Sequence, residues 1–453
     1  MFRRCPLSLL IASLALSCAS LPGARERDER EADAAEPVSA APAVQDRDFG
    51  EVLLFVAISG GGTRAASFGY GALEALRDTR IAGGSAAPRL LEEIDTLAGV
   101  SGGSFVAAYY GLHGEGIFQD FEARFLRHPV QRELIGRMFH PRYWLRTLSG
   151  RQSRSEVAAD YYDDQLFGGT ALTDLERTGP TISISATDVS TGTPFLFSRD
   201  QFGLLCLDRE QFRVARAVAA SAAVPGLLTP MTLENRAGSC DYVVPPWVDT
   251  VLERNDVASR RYQAAKRIDS YRDANQRRYV HLADGGPSDN LGVRAPLDSL
   301  IGEGGLFEAI HRRRLPTPKR FAVIIVDAAI EPQRAMDMDP RPPSMLTLLN
   351  ALMGNSANLF ARETVALMRR ELEQWGRELP PESGGPMGTY LIDLRFSRIR
   401  DPGERAFLNA VPTNFDLEDE MVDRVRAAAR TLLSESSEFQ RLVDDLSGEP
   451  AGH

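Results

Sequence analysis

The sequence predicts an α/β fold of layered type, with a mainly parallel central sheet flanked by helices. Two observations predict it. The run Val52-Leu53-Leu54-Phe55-Val56-Ala57-Ile58 is apolar throughout, which suits a strand buried on both faces, as in a parallel sheet. Strand-like and helix-like stretches then alternate along the chain, the pattern of α/β layers. Composition permits this: 453 residues with 43% apolar and 25% charged supply an ordinary globular core. Large α/β enzymes fill this length as one unit.

The elements follow in order. A glycine loop after the first strand leads into a helix-like stretch from Ala65 to Leu76. Ile94 to Ala98 reads as a second strand, broken at Gly99, and Ser104 to Leu112 as a helix. Thr181 to Ala186 and Phe195 to Phe197 are further strand candidates. Val214 to Ala223 is a small-residue helix stopped by Pro225, which cannot continue a helix. Tyr279 to Ala283 and Phe321 to Val326 read as strands, and Met345 to Trp375 as mostly helical. Tyr390 to Phe396 suits a late strand and Leu417 to Leu433 a last amphipathic helix. No internal repeat is visible.

The N-terminus has a basic start at Arg3 and Arg4, a short apolar run from Leu7 to Leu16, and Ser17 followed by Cys18. A run this short reads as a signal peptide and not as a membrane span. The pattern resembles a bacterial lipoprotein signal, in which Cys18 becomes the lipidated first residue; an ordinary secretory signal is the other reading. Ala19, not Asp, follows the Cys, which by that resemblance favours the outer membrane; otherwise the protein is periplasmic or secreted. Residues 1–17 are thus assigned to the signal. Residues 18–49, rich in Ala, Glu, Asp, Arg and Pro and without aromatics up to Asp48, form a disordered tether. Cys206 and Cys240 remain as an even pair in an oxidising compartment. They form either a disulfide or two free buried thiols.

The formal charge is -10, with both signs mixed along the chain. No basic stripe is present, so nucleic acid is excluded as a partner class. Lys occurs only at Lys266 and Lys319, a bias of composition without functional meaning. Neither Cys lies in a CxxC or His-rich setting, and no metal or other cofactor is expected.

Three short constellations carry chemistry. Gly99-Val100-Ser101-Gly102-Gly103 is a G-x-S-x-G sequence between a strand and a helix candidate, the setting that a nucleophile elbow requires. The turn needs neighbours nearly free of side chains, and the helix behind it aims its amide end at the Ser. Gly60-Gly61-Gly62-Thr63-Arg64 follows the first strand. Its unshielded amides suit an oxyanion. Neither G-x-x-x-x-G-K-[ST] nor G-x-G-x-x-G with a downstream acid is present, which argues against a phosphate loop. Arg64 is a candidate for substrate phosphate or for support of the loop through a core carboxylate. His281-Leu282-Ala283-Asp284-Gly285-Gly286 places an Asp at the end of an apolar strand, where low dielectric raises its basicity. Alone, that Asp equally suits a turn cap.

Together and in this order, the blocks resemble the patatin-like phospholipases. Ser59-Gly60-Gly61-Gly62-Thr63-Arg64, Gly99 to Gly103 and Asp284-Gly285-Gly286 stand where that family has its glycine loop, G-x-S-x-G and D-G-G or D-G-A. Ser59 departs from the family, which usually has Asp there. Ala217 to Gly226 and Thr187 to Gly192 resemble two further blocks, and the resemblance runs from about Val52 to Val293. It implies a patatin-like catalytic domain over 50–440, with a helical C-terminal extension and a tail at 441–453. It also implies a Ser-Asp dyad without a catalytic His. Ser101 would attack the ester, Asp284 would take and return its proton, and the amides of Gly60, Gly61 and Gly62 would hold the oxyanion.

Two other readings compete. A Ser-His-Asp hydrolase needs a His after the acid. His311 lies in a cationic run, and His281 shares a strand with Asp284 but on the opposite face. A catalytically inactive envelope lipoprotein acting as a binding module is the second. Location and family together point to phospholipid or lysophospholipid acyl esters, with a membrane surface reached through the N-terminal lipid anchor. Phe118, Phe121, Phe125, Phe139, Tyr143 and Trp144 crowd one region, as an acyl-chain groove, a lid, or plain core.

Overall fold

The computed structural model describes residues 52–448, except 82–86, 142, 144–152, 178, 314, 332–334 and 379–386. The signal, the tether, Cys18 and Trp144 lie outside the described residues. Among the described residues, eight strands form one sheet: β1 (Val52–Ile58), β2 (Ile94–Val100), β3 (Thr181–Asp188), β4 (Thr193–Leu196), β5 (Met231–Glu234), β6 (Tyr279–Ala283), β7 (Arg320–Asp327) and β8 (Gly388–Arg395). The order is β5-β6-β3-β2-β1-β7-β8, with β4 paired to β3. β3, β2, β1, β7 and β8 run parallel, whereas β4, β5 and β6 are antiparallel to their neighbours.

The parallel centre is buried on both faces. On β1, Leu54, Val56 and Ile58 join one core with the helices Gly62–Asp78, Gly102–His113 and Asp419–Ser434. Ala57, with Leu53 and Phe55 packed beside it, joins the opposite core with Val323 and Ile325 of β7 and the helix Met345–Arg377. A strand apolar at every position follows from two covered faces. The antiparallel end differs: β5 and β6 alternate buried and exposed residues, as one solvated face requires.

Several boundaries shift, each for a local reason. The first helix begins at Gly62, the last glycine of the loop, and the elbow helix begins at Gly102. The expected strand Phe195 to Phe197 is β4, which includes Pro194 opposite Thr187. Pro is tolerated there because β4 pairs only with β3 and is an edge. β5 escaped the sequence reading, being four residues long. So did the helices Trp247–Arg254 and Arg260–Asp269, which share a small core of Val248, Val251 and Ala265. The expected boundary at residue 440 falls inside the helix Ser437–Ser447, whose Phe439 and Leu442 are buried, so the folded chain continues past it.

Cys206 and Cys240 are joined in a disulfide, with Cα atoms 5.6 Å apart. The bridge closes a loop that contains the helix Val214–Ser221 and β5. Closing a loop across 34 residues stabilises a fold by about 3–4 kcal/mol in the chain-entropy account. Cys206→Ser/Cys240→Ser is therefore expected to lower the unfolding free energy by about that amount. Urea titrations with and without reductant check this: reductant should lower wild-type stability to that of the double variant and leave the variant unchanged.

Candidate active site

The sheet register brings the three constellations to one level. Val100 pairs with Ser185 and Ala283 with Thr187, so the next residues, Ser101 and Asp284, are both level with Ala186. Ile58 pairs with Gly99, which sets Gly60 level with Ser101. A Cβ on Gly60 would lie 3.4 Å from that of Ser101.

Ser101 ends β2 and caps the helix Gly102–His113, with φ 49° and ψ -118°. A side chain rarely adopts such a backbone unless its surroundings hold it there. Its N–H donates to Ser221 Oγ at 2.8 Å, and Ser221 Oγ donates to Ser185 O at 2.7 Å. Its carbonyl accepts from the N–H and the hydroxyl of Ser104. The flanking glycines are steric necessities. A Cβ on Gly102 would collide with the Gly62 carbonyl, and one on Gly103 with the Ile58 carbonyl.

Asp284 follows β6 and is buried. Its N–H donates to Ala223 O, and that of Gly285 to Ser221 O, both at 3.0 Å. The end of the small-residue helix therefore positions both Ser101 and Asp284. Asp284 Oδ1 accepts the Gly286 N–H at 2.9 Å. Oδ2 is buried without a formed hydrogen bond among the described residues. Burial pushes the carboxyl up from its ordinary 3.8 to about 6, opposed by the Gly286 N–H and the nearby Ser101 side chain. The Ser101 hydroxyl is thus near enough to act on the carboxyl, although the bond is not closed in the resting geometry; catalytic hydrogen bonds often tighten only with substrate.

The glycine loop divides its amides. Gly60 is corrected as an oxyanion donor, because its N–H donates to Asn290 O at 2.9 Å. Thr63 N–H donates to Asn414 O at 2.8 Å. The N–H groups of Gly61 and Gly62 have no acceptor among the described residues. Gly62 has φ 61°, and its Cα faces the Asn414 backbone so closely that no side chain fits. Gly102 N–H, first in its helix, is a third unclaimed donor beside Gly62. The sequence reading missed it, although the residue after an elbow nucleophile commonly serves this way.

Arg64 is corrected as a ligand for substrate phosphate. It is 3% exposed, and its guanidinium donates to Ala328 O at 2.9 Å and Val411 O at 2.7 Å. Burial pulls its pKa down to about 10, against the attraction of the buried Asp327 carboxylate. It braces the loop from below. The aromatic group is also resolved: Phe121 and Phe125 are fully buried, and Phe125 stacks on Phe105 with centroids 4.4 Å apart. Phe118 packs against the same core, Tyr143 accepts a hydrogen bond from Arg137, and Phe139 is exposed. These residues are mainly core and not a groove. His281 is exposed, with Nδ1 2.9 Å from Thr232 Oγ1; His311 is exposed on another helix. Among the described residues, no group of three or more His, Cys, Asp and Glu side chains is arranged to hold a metal.

Arg64→Met would leave the buried carbonyls of Ala328 and Val411 without their donor, while Asp327 keeps Arg395 at 3.9 Å. A loss of about 2–5 kcal/mol of stability is expected from the two unsatisfied buried carbonyls, measured by urea unfolding. The relative rates on phosphate-bearing and neutral esters should not change.

Comparisons with known proteins give the family of the chain. Among solved structures, human GIVD cytosolic phospholipase A2 aligns with a TM-score of 0.42 and 13% identity over 87% of this chain and 62% of that one. The same human enzyme in complex with methyl gamma-linolenyl fluorophosphonate gives 0.41 and 14% over 88% and 60%. The chain thus spans about three fifths of the length of those structures. No curated protein matches it. The family model for patatin-like phospholipase matches residues 56–297, more than half of the chain, and the protein belongs to that family.

Proposed function

We propose that the protein hydrolyses acyl esters of phospholipids or lysophospholipids through a Ser101–Asp284 dyad and an acyl-enzyme intermediate. The observation that carries this reading is the buried Asp284 carboxyl, which has one oxygen uncommitted and lies level with a strained Ser101. Ser101 Oγ attacks the ester carbonyl as its proton passes to Asp284. The N–H groups of Gly61, Gly62 and Gly102 receive the charge that develops on the carbonyl oxygen; each such donor is worth about two to three powers of ten in rate. Collapse breaks the ester C–O bond, and Asp284 returns the proton to the leaving alcohol. Water then gives a proton to Asp284 and attacks the acyl-enzyme; the fatty acid leaves as Ser101 is reprotonated. A carboxyl near 6 is a better base than an ordinary carboxylate and is still ionised at neutral pH.

The reading extends to place. The N-terminal signal supports export, and Cys18 supports a lipid anchor at the outer membrane. The Cys206–Cys240 bridge supports an oxidising compartment.

A fluorophosphonate probe followed by peptide mass spectrometry should put the adduct on Ser101; an adduct on another serine overturns the assignment.

Asp284→Asn is expected to lower kcat by about 10²–10⁴, whereas His281→Ala and His311→Ala retain activity. In the wild type, kcat/KM should fall on acidification through about pH 6, where Asp284 takes up its proton. Stability has the opposite sign. The folded pKa lies above the ordinary 3.8, so ionising Asp284 costs stability between those two values and the full cost persists above them. Thermal melts should show Asp284→Asn more stable than wild type above pH 7, with the difference gone near pH 4.

A further inference from the structure

We propose that the side chain of Asn290 holds the water that releases the acyl group from Ser101; this rests on the dyad reading above. Asn290 ends the helical turn Gly286–Asp289 that follows Asp284. Its backbone is fixed on both sides. Its carbonyl accepts the Gly60 N–H at 2.9 Å. Its neighbours Asp289 and Leu291 are buried, and Asp289 accepts the N–H groups of Val293 and Ala295. The carboxamide is thereby turned onto two glycines. A Cβ on Gly60 would lie 2.6 Å from Asn290 Oδ1 and 3.4 Å from the Ser101 Cβ. A Cβ on Gly286 would lie 3.2 Å from Asn290 Oδ1 and 3.0 Å from Asp284 Oδ1. One oxygen therefore stands beside both members of the dyad, in the space that two absent side chains leave.

The polar atoms of this carboxamide are uncommitted. Asn290 is half-buried, and its side chain forms no hydrogen bond among the described residues. Asn235 shows the contrast: its Nδ2 donates to Tyr271 O and Arg277 O, and its Oδ1 accepts the Ala237 N–H. An asparagine that serves the fold spends its donors and acceptor in that way. Asp284 feels the Gly286 N–H and the Ser101 side chain but no bond from Asn290. Polar groups that face one space without bonding are joined by a bridging water. In deacylation that water stands where the alcohol has left, within reach of Asp284. One of its hydrogens passes to Asp284, and Asn290 Oδ1 accepts the other, which aims a lone pair at the acyl carbonyl. The new C–O bond forms, the bond from the acyl carbon to Ser101 Oγ breaks, and Asp284 returns the proton to Oγ. Asn290 stays unchanged and neutral. A carboxylate in its place would repel that of Asp284 and raise its pKa; a carboxamide orients the water without doing so.

The test is Asn290→Leu in the full chain, which keeps the shape and the backbone bond to Gly60 but removes the polar atoms. A thermal melt matching wild type confirms a folded variant. With enzyme in excess over p-nitrophenyl butyrate, release of p-nitrophenolate reads acylation, and intact-mass spectra of acid-quenched samples read the lifetime of the acyl-enzyme. p-Nitrophenolate leaves unaided, so acylation should stay within about twofold, while the acyl-enzyme should last about ten to a hundred times longer. In steady state, kcat and KM should fall together and kcat/KM stay level, a split that a merely structural loss does not give. Asn290→Asp restores the acceptor; it should shorten the lifetime again and move the acid limb of deacylation to higher pH by repulsion of Asp284. An acyl-enzyme lifetime equal to that of wild type, or acylation and deacylation slowed by the same factor, overturns the role of Asn290 alone. A wild type that forms no acyl-enzyme with any ester overturns the hydrolase reading and the water site with it, and this is seen before any substitution is made.

Discussion

The Ser221 hydroxyl bridges three parts of the fold. It accepts the N–H of Ser101 and donates to the carbonyl of Ser185 on β3, while its own carbonyl takes the Gly285 N–H. One residue thereby fixes the end of β2, the side of β3 and the turn after β6. Its neighbours Ala219, Ala220, Ala222 and Ala223 are almost wholly buried. A larger side chain among them would push the hydroxyl out of reach. Both partner groups are buried, so a lost bond there costs the desolvation of a backbone N–H and not merely one interaction.

Around that bridge, close backbone approach replaces side-chain packing. Gly102 lies on the Gly62 carbonyl and Gly103 on the Ile58 carbonyl. This brings the amide ends of two helices together and leaves donors unclaimed. The buried carboxyl of Asp284, like that of Asp289, is held near 6 chiefly by desolvation. The two differ in their partners. Asp289 accepts the N–H groups of Val293 and Ala295 and serves as a turn anchor, whereas Asp284 keeps an oxygen free.

Much of the sheet was legible in the sequence because β1 and β7 are continuous apolar runs between turn residues, a signature that burial on both faces imposes. β4 and β5 were less legible, since four-residue edge strands carrying Pro194 or Glu234 resemble loops. The candidate site was legible through its glycines and its Asp, whose types are dictated locally. The bonds that decide their roles were not. Gly60 looked the same as Gly61 until Asn290 claimed its amide. Arg64 finds acceptors 264 and 347 residues away, a pairing that no local pattern encodes. The apolar face of the Met345–Arg377 helix was hidden for another reason: periodicity shows that a helix has an apolar side, not which side the core takes.

The glycine loop is closed by chain made long after it. Thr63 bonds Asn414, Arg64 bonds Val411, and Arg426 of the helix Asp419–Ser434 pairs with Glu74 on the helix that the loop begins. All three partners lie beyond the segment that matches the family model. Synthesis runs from the N-terminus, so a nascent chain holding both Ser101 and Asp284 still lacks the clamp on its glycine loop. The loop that offers the unclaimed amides of Gly61 and Gly62 therefore takes its final shape only after residues 411–426 have been made, long after the strands and helices around Ser101 and Asp284.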